Sequence, residues 1–268
     1  MSQDRAIRTV PGMADMKAAG QVITMLTAYD ASFARLVDEA DVDCVLVGDS
    51  LGNVIQGRET TLPVTVEQMV YHVEAVRRGL IHPLLMADLP FMSYHDRGSA
   101  MEAAASLMRA GAGMVKLEGG SAVVQIVADL VAQGIPVCGH LGLTPQHVHR
   151  LGGYRVQGRE EALARALQED ARALQAAGAG MLVLECVPSA LARTISQSLR
   201  IPVIGIGAGV DVDGQVLVLY DILGISPGRR PRFVKDFMGD GGSVAGALTA
   251  FVNAVRERRF PDEQHSYS

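Results

Sequence analysis

Eight short apolar runs punctuate this chain, each followed by a polar or glycine-rich loop and then, in most cases, an alanine-rich stretch with helical periodicity. The runs are VITMLT (22–27), DCVLVG (43–48), PLLMAD (83–88), GMVKLE (113–118), PVCGH (136–140), GMLVLE (180–185), PVIGIG (202–207) and VLVLYDIL (216–223). Most are apolar throughout and do not alternate. A strand wetted on one face alternates, whereas a parallel strand buried on both faces needs a continuous run. Amphipathic stretches at 30–40, 65–79, 98–110 and 159–177 supply the helical connections. Gly79, Gly111, Gly134 and Gly178 stand near helix ends, where a left-handed cap is often required. Eight such units with no break in composition predict an α/β fold closed into a (β/α)8 TIM barrel, with an open doubly wound sheet as the alternative.

A length of 268 residues suits one barrel domain covering 1–268. Two segments lie outside the repeat. Residues 12–20 (GMADMKAAG) read as a short leading helix able to plug the N-terminal mouth. Residues 229–268 hold a basic-rich turn, a glycine-rich break at Gly239, Gly241 and Gly242, and a terminal helix around 244–258. The last residues, PDEQHSYS, are expected to be mobile or held by a neighbouring subunit. A net charge of -5 is mild and gives no electrostatic reason to expect nucleic acid or an anionic membrane as partner. The apolar runs are too short to span a bilayer, and the first residues show no signal-peptide pattern, so a cytoplasmic protein is expected. Cys44, Cys138 and Cys186 make no CxxC pair and read as small buried hydrophobes in a reducing compartment.

The chemistry collects at the strand ends. Run two leads into Gly48-Asp49-Ser50, run three ends in Asp88, run four in Glu118, run five in His140 and run six in Glu185. Lys116 precedes Glu118 by two residues, which puts both on one face of a strand. AGAGMVKLE (110–118) and AGAGMLVLE (177–185) match at seven of nine positions, and each closes in glutamate. Singly, these acids could cap helices and His140 could be a hydrogen-bonded core residue. Together they converge, because the C-terminal strand ends of a barrel surround one mouth. Three carboxylates meeting there must take up a proton or gain a cation. Asp49, Asp88 and Glu118 form an all-oxygen set that favours magnesium over zinc. Such an ion can chelate a 2-oxo acid and stabilise its enolate, with Lys116 adding positive charge and Ser50 orienting the carboxylate. Glu185 is left as general base or acid. The GIGAG loop (205–209) reads as a close approach of backbone to ligand, with phosphate binding only weakly indicated. No HExxH, GxSxG or Walker segment occurs.

With these residues in place, the chain resembles the ketopantoate (3-methyl-2-oxobutanoate) hydroxymethyltransferase family. The likeness is carried by MLTAYDASFA (25–34), LVGDSLGNVIQG (46–57), MADLPFMSY (86–94), RAGAGMVKLEGG (109–120), PVCGHLGLTPQ (136–146), GGYRVQGR (152–159), LVLECVP (182–188) and DGQVLVLYDILGI (213–225). The resemblance implies a barrel of the phosphoenolpyruvate/pyruvate type. It implies hydroxymethyl transfer from 5,10-methylenetetrahydrofolate to 3-methyl-2-oxobutanoate, giving 2-dehydropantoate in pantothenate synthesis, with Mg2+ bound. Carried over by position, Asp49, Asp88 and Glu118 are magnesium-proximal. Asp49, Ser50, Asp88 and Lys116 bind the oxo acid, His140 is an active-site histidine, and Glu185 is the proton acceptor. Homo-oligomers, commonly decamers, are implied as well. Arg58-Glu59-Thr60, Val210 and Tyr220 depart from the family's usual residues and bear on folate-side contacts. A related 2-oxo-acid lyase or mutase of the isocitrate lyase type is the alternative, although no KKCGH-type segment is present.

Overall fold

The computed structural model describes residues 5–226, 228 and 230–268, so Arg229 of the expected basic turn lies outside the described residues. The strands are β1 (Ile23–Thr27), β2 (Cys44–Val47), β3 (Leu84–Asp88), β4 (Met114–Glu118), β5 (Val137–Gly142), β6 (Met181–Glu185), β7 (Val203–Ile206) and β8 (Gly214–Leu217). They pair in chain order, all parallel, and β8 returns to β1 through Ile23↔Gly214 and Met25↔Val216 to close the barrel. Nearly every strand residue is buried, as continuous apolar runs require.

The helices are α1 (Val10–Ala18), α2 (Ala31–Glu39), α3 (Leu51–Val54), α4 (Val66–Arg77), α5 (Arg97–Arg109) and α6 (Val124–Ala132). They continue with α7 (Val148–Leu151), α8 (Glu161–Ala176), α9 (Ser189–Ser198), α10 (Leu219–Ile222), α11 (Met238–Gly241) and α12 (Val244–Arg256). Their starts are written locally. Asp30, Asp96 and Ser243 each accept a hydrogen bond from a first-turn backbone N–H, and Thr65 with Gln68 forms a reciprocal capping box on α4. Such caps contribute about 1 kcal/mol each. Among the described residues, no helix is long and apolar enough to cross a membrane.

The leading helix lies against the N-terminal mouth. On α1, Met13 and Met16 are buried, and Lys17 donates to the carbonyls of Ser196 and Ile201 and pairs with Asp213 at 2.7 Å. Ser196 is in α9, and Ile201 and Asp213 stand just before β7 and β8. A second set of ion pairs ties both chain ends to the start of β2: Arg5–Asp38 at 3.0 Å, Arg8–Asp43 at 2.8 Å and Arg256–Asp41 at 2.9 Å. Phe237, Phe251 and Phe260 meet edge to face, with centroids 5.4–6.2 Å apart, and anchor α12.

Three expectations need correcting. The eighth strand is Gly214–Leu217, and the second half of the run assigned to it, Leu219–Ile222, is the helical turn α10. A short apolar run has no period that separates strand from buried helix. Gly111, Gly134 and Gly178 do take positive φ, but Gly79 does not. A Cβ there would stand 2.3 Å from the Ala31 carbonyl oxygen, so Gly79 is needed for close packing of α4 on α2. Finally, the C-terminal tail is held by its own chain. Arg232 donates to the carbonyls of Gln264 and Glu263, and both the N–H and the hydroxyl of Ser189 donate to the Tyr267 carbonyl.

Candidate active site

The C-terminal ends of the strands open into a cavity of about 790 Å3. Asp49, Ser50, Asp88, Lys116, Glu118, His140 and Glu185 all line it, so every strand-end residue singled out from the sequence reaches one space. Parallel register accounts for their pairings. Asp88 on β3 stands opposite Lys116 on β4, and Glu118 on β4 opposite His140 on β5. Lys116 donates to Asp88 Oδ1, and the Asp49 amide donates to Asp88 Oδ2 at 3.0 Å. His140 Nδ1 lies 3.2 Å from Glu118 Oε1. Its Nε2 lies 3.3 Å from Glu185 Oε2, an ion-pair approach that falls short of hydrogen-bond geometry. Ser50 Oγ is 2.9 Å from the Tyr29 hydroxyl.

Burial sets the electrostatics. Asp49, Asp88, Lys116, Glu118 and His140 are all at most 4% exposed. Burial, then the charges of Asp88 and Glu118, hold Asp49 well above the usual carboxylate range; Lys116 and Gln146 offset this only in part. Burial would also raise Glu118, but the His140 contact and charge, Lys116 and the Gln146 amide outweigh it and hold Glu118 low. Burial and Lys116 would lower His140, yet Glu118 and Glu185 push it up to about 9, so it is an imidazolium at neutral pH. Lys116 stays charged: burial works against it, and Asp88, Glu118 and Asp49 more than compensate. The three thiols are buried and raised by that burial, which keeps them protonated and poor nucleophiles.

These residues match a hard divalent cation in one respect and depart from the expected set in another. The donors are oxygens, and Asp49 Oδ1 receives no hydrogen bond from a described residue while its carboxylate is short of positive charge. Magnesium is commonly held by one or two carboxylates together with water and substrate, which Asp49 and Asp88 suffice to provide. The trio of Asp49, Asp88 and Glu118 is not a ready-made cage. Among the described residues no group of three His, Cys, Asp or Glu is arranged to hold a metal ion. Both Glu118 oxygens are engaged, Oε1 with His140 and Oε2 with the Gln146 N–H, and so are both Asp88 oxygens, with Lys116 and the Asp49 N–H.

The sequence reading missed Gln146 and Tyr94. Both are buried, and the Tyr94 hydroxyl contacts the Gln146 side chain and the Glu118 carbonyl. The available signal was a polar residue directly after Thr144-Pro145 at the end of a strand. The GIGAG glycines serve the chain itself. At Gly207 (φ +62) a Cβ would stand 3.0 Å from Phe233 and 3.1 Å from Tyr267, so the loop admits the C-terminal tail as a wall of the cavity. Of the departures from the family pattern, Glu59 lines the cavity, and Tyr220 packs on Tyr29 with centroids 5.9 Å apart.

The chain is similar to proteins of known family and to solved barrel structures. The ketopantoate hydroxymethyltransferase family profile matches residues 8–263. The chain is 58% identical over 266 residues to the 3-methyl-2-oxobutanoate hydroxymethyltransferase of Alkalilimnicola ehrlichii, covering 99% of this chain and 96% of that one. It is 57% identical over 261 residues to the protein of the same name from Stenotrophomonas maltophilia, covering 97% and 96%. Among solved structures, a phosphonopyruvate hydrolase complex with oxalate and Mg++ superposes with a TM-score of 0.61 at 11% identity, over 79% of this chain and 81% of that chain. A 2,3-dimethylmalate lyase of the PEP mutase/isocitrate lyase superfamily gives 0.57 at 16% identity, over 79% and 81%. Those two establish the barrel type alone. On the profile and the full-length relatives, the chain belongs to the ketopantoate hydroxymethyltransferase family.

Proposed function

We propose that this chain transfers a hydroxymethyl group from 5,10-methylenetetrahydrofolate to 3-methyl-2-oxobutanoate, giving 2-dehydropantoate for pantothenate synthesis. The supporting observation is one cavity that holds a buried carboxylate pair, Asp49 and Asp88, a buried ammonium, Lys116, and a separate carboxylate, Glu185. The names of the full-length relatives support the oxo acid and the transferred hydroxymethyl group, and the folate donor follows from the family resemblance.

Asp49 and Asp88 are the residues that would hold Mg2+. When bound, the ion supplies a Lewis acid for the oxygens of the oxo acid. Lys116 places positive charge where the keto oxygen gains negative charge, and the Ser50 hydroxyl orients the substrate carboxylate. Glu185 takes the methine proton next to the carbonyl. The electron pair left on that carbon forms the new bond to the one-carbon unit, water supplies the hydroxyl oxygen, and tetrahydrofolate departs. His140, as an imidazolium between Glu118 and Glu185, holds Glu118 ionised and brings positive charge beside Glu185. The tail residue Tyr267 and the loop residues Tyr154 and Arg155 line the outer cavity, where the larger co-substrate would enter. The protein acts as a single barrel domain in the cytoplasm and as a homo-oligomer, a decamer by family likeness.

Exchange of the methine proton of 3-methyl-2-oxobutanoate in heavy water tests the reading. Exchange is expected with magnesium and without any folate, and a chelator should abolish it. Folded, magnesium-supplied protein that exchanges no proton would refute the enolisation chemistry.

A further inference from the structure

Gln146 is the most heavily bonded side chain in this part of the barrel, and the mechanism above gives it no task. It is 3% exposed and lies in the turn Pro145–His147 that follows β5. Its amide nitrogen donates to Asp49 Oδ2 at 2.8 Å and to the Leu89 carbonyl at 3.0 Å. Its amide oxygen accepts from the Tyr94 hydroxyl, and its backbone N–H donates to Glu118 Oε2 at 3.0 Å. One residue thus reaches the ends of β2, β3 and β4 from the end of β5. The amide cannot be turned over, because its oxygen would then face the Asp49 carboxylate and the Leu89 carbonyl, two acceptors set against an acceptor.

The consequence falls on the two acids. With Asp49 Oδ2 tied to Gln146, the plane of that carboxylate is set and Oδ1 is the oxygen left for a ligand. With Glu118 Oε2 tied to the same residue and Oε1 to His140, Glu118 is held in place as well. We infer that Gln146 is the positioning residue of the cation site: it presents Asp49 with one free oxygen and holds Glu118 in place. This rests on the reading of Asp49 and Asp88 as the ligands.

Groups that orient a ligand from behind are typically worth about 10–100-fold in metal affinity. The test titrates Mn2+ into the full chain, following free ion by paramagnetic resonance, for the parent and for Gln146→Met. Methionine fills similar volume and keeps the backbone N–H to Glu118 but loses both side-chain donors. Near-UV circular dichroism verifies that the variant is folded. Binding weakened about 10-fold or more is expected, together with a rightward shift in the magnesium concentration that half-saturates proton exchange. A merely structural glutamine would lower the unfolding temperature without moving either quantity. Tyr94→Phe removes the hydrogen bond on the amide oxygen and so loosens the side chain that holds Asp49, and it should weaken Mn2+ binding several-fold. It carries the test if Gln146→Met does not fold. Parent-like affinity in the folded variant overturns the inference alone. A parent chain that binds no Mn2+ overturns the cation reading and this inference with it.

Discussion

Replacing Lys116 by methionine tests whether charge balance holds the rim of the barrel together. Lys116 and Asp88 stand in register on β4 and β3, and their side chains are 5% and 4% exposed. Methionine nearly matches the lysine stem in volume, so the loss is electrostatic. Removing one partner of a buried pair costs about 3–5 kcal/mol. A second route gives a similar figure. A stranded carboxylate can take up a proton, which at pH 7 costs about 1.36 kcal/mol for each unit above an ordinary value near 3.9, or ~4 kcal/mol. For 268 residues, an unfolding entropy of about 2.1 cal/mol/K per residue totals ~0.56 kcal/mol/K. A loss of 3–5 kcal/mol therefore lowers the thermal midpoint by about 5–9 °C. The assay is thermal unfolding in chelator for the parent, Lys116→Met, Asp88→Asn and the double variant. The double variant lacks both charges and should recover at least half of the loss. The deficit should also shrink by about 1.4 kcal/mol for each unit by which the pH is lowered toward 4. A fall below about 2 °C, or a double variant no more stable than Lys116→Met, refutes the reasoning.

Other outcomes follow from the same geometry. Glu185→Gln should still bind the oxo acid while methine exchange falls by about 10²–10⁴-fold; retained exchange would remove Glu185 as the base. Burial alone would raise the Asp38 carboxylate, but the His82 side chain and the Ile81 and His82 amides outweigh it and hold it below its ordinary value. Its stabilisation is thus fully present above about pH 4 and is lost as pH falls further. Asp38→Asn should accordingly lower the thermal midpoint at pH 7 and lower it less at pH 3; an equal drop at both would remove the linkage. Deleting residues 267 and 268 removes a wall of the cavity without touching the strands. It should raise the apparent KM for the proposed folate substrate several-fold and leave the thermal midpoint within about 2 °C; an unchanged KM would exclude the tail from the site.

Most of the barrel was legible because its strands are buried on both faces, and that demand writes itself as unbroken apolar runs. The acids at their ends were legible for the opposite reason, since Asp88, Glu118 and Glu185 interrupt those runs where an isolated charge would be costly. β8 was misplaced because Gly214-Gln215 opens it without an apolar signal, while the apolar residues beyond it belong to α10. The role of Gln146 could not be read at all. It depends on register: a turn residue after β5 meets Asp49, 97 positions earlier in the chain. The tail was misjudged for a similar reason. A polar, charged terminus looks mobile until Arg232 and Ser189 are seen to grip its backbone.

The ring closes between the first of its strands in the chain and the last. β1 finds its second neighbour only in β8, and α12 packs over β1 as well. A nascent polypeptide on the ribosome therefore cannot seal the sheet until Leu217 has emerged. Truncation ahead of Gly214 would leave two unsatisfied edges, each a template for pairing with another copy. Expression of shortened versions is for that reason expected to yield aggregates, where a protein built of independent modules would yield smaller folded pieces.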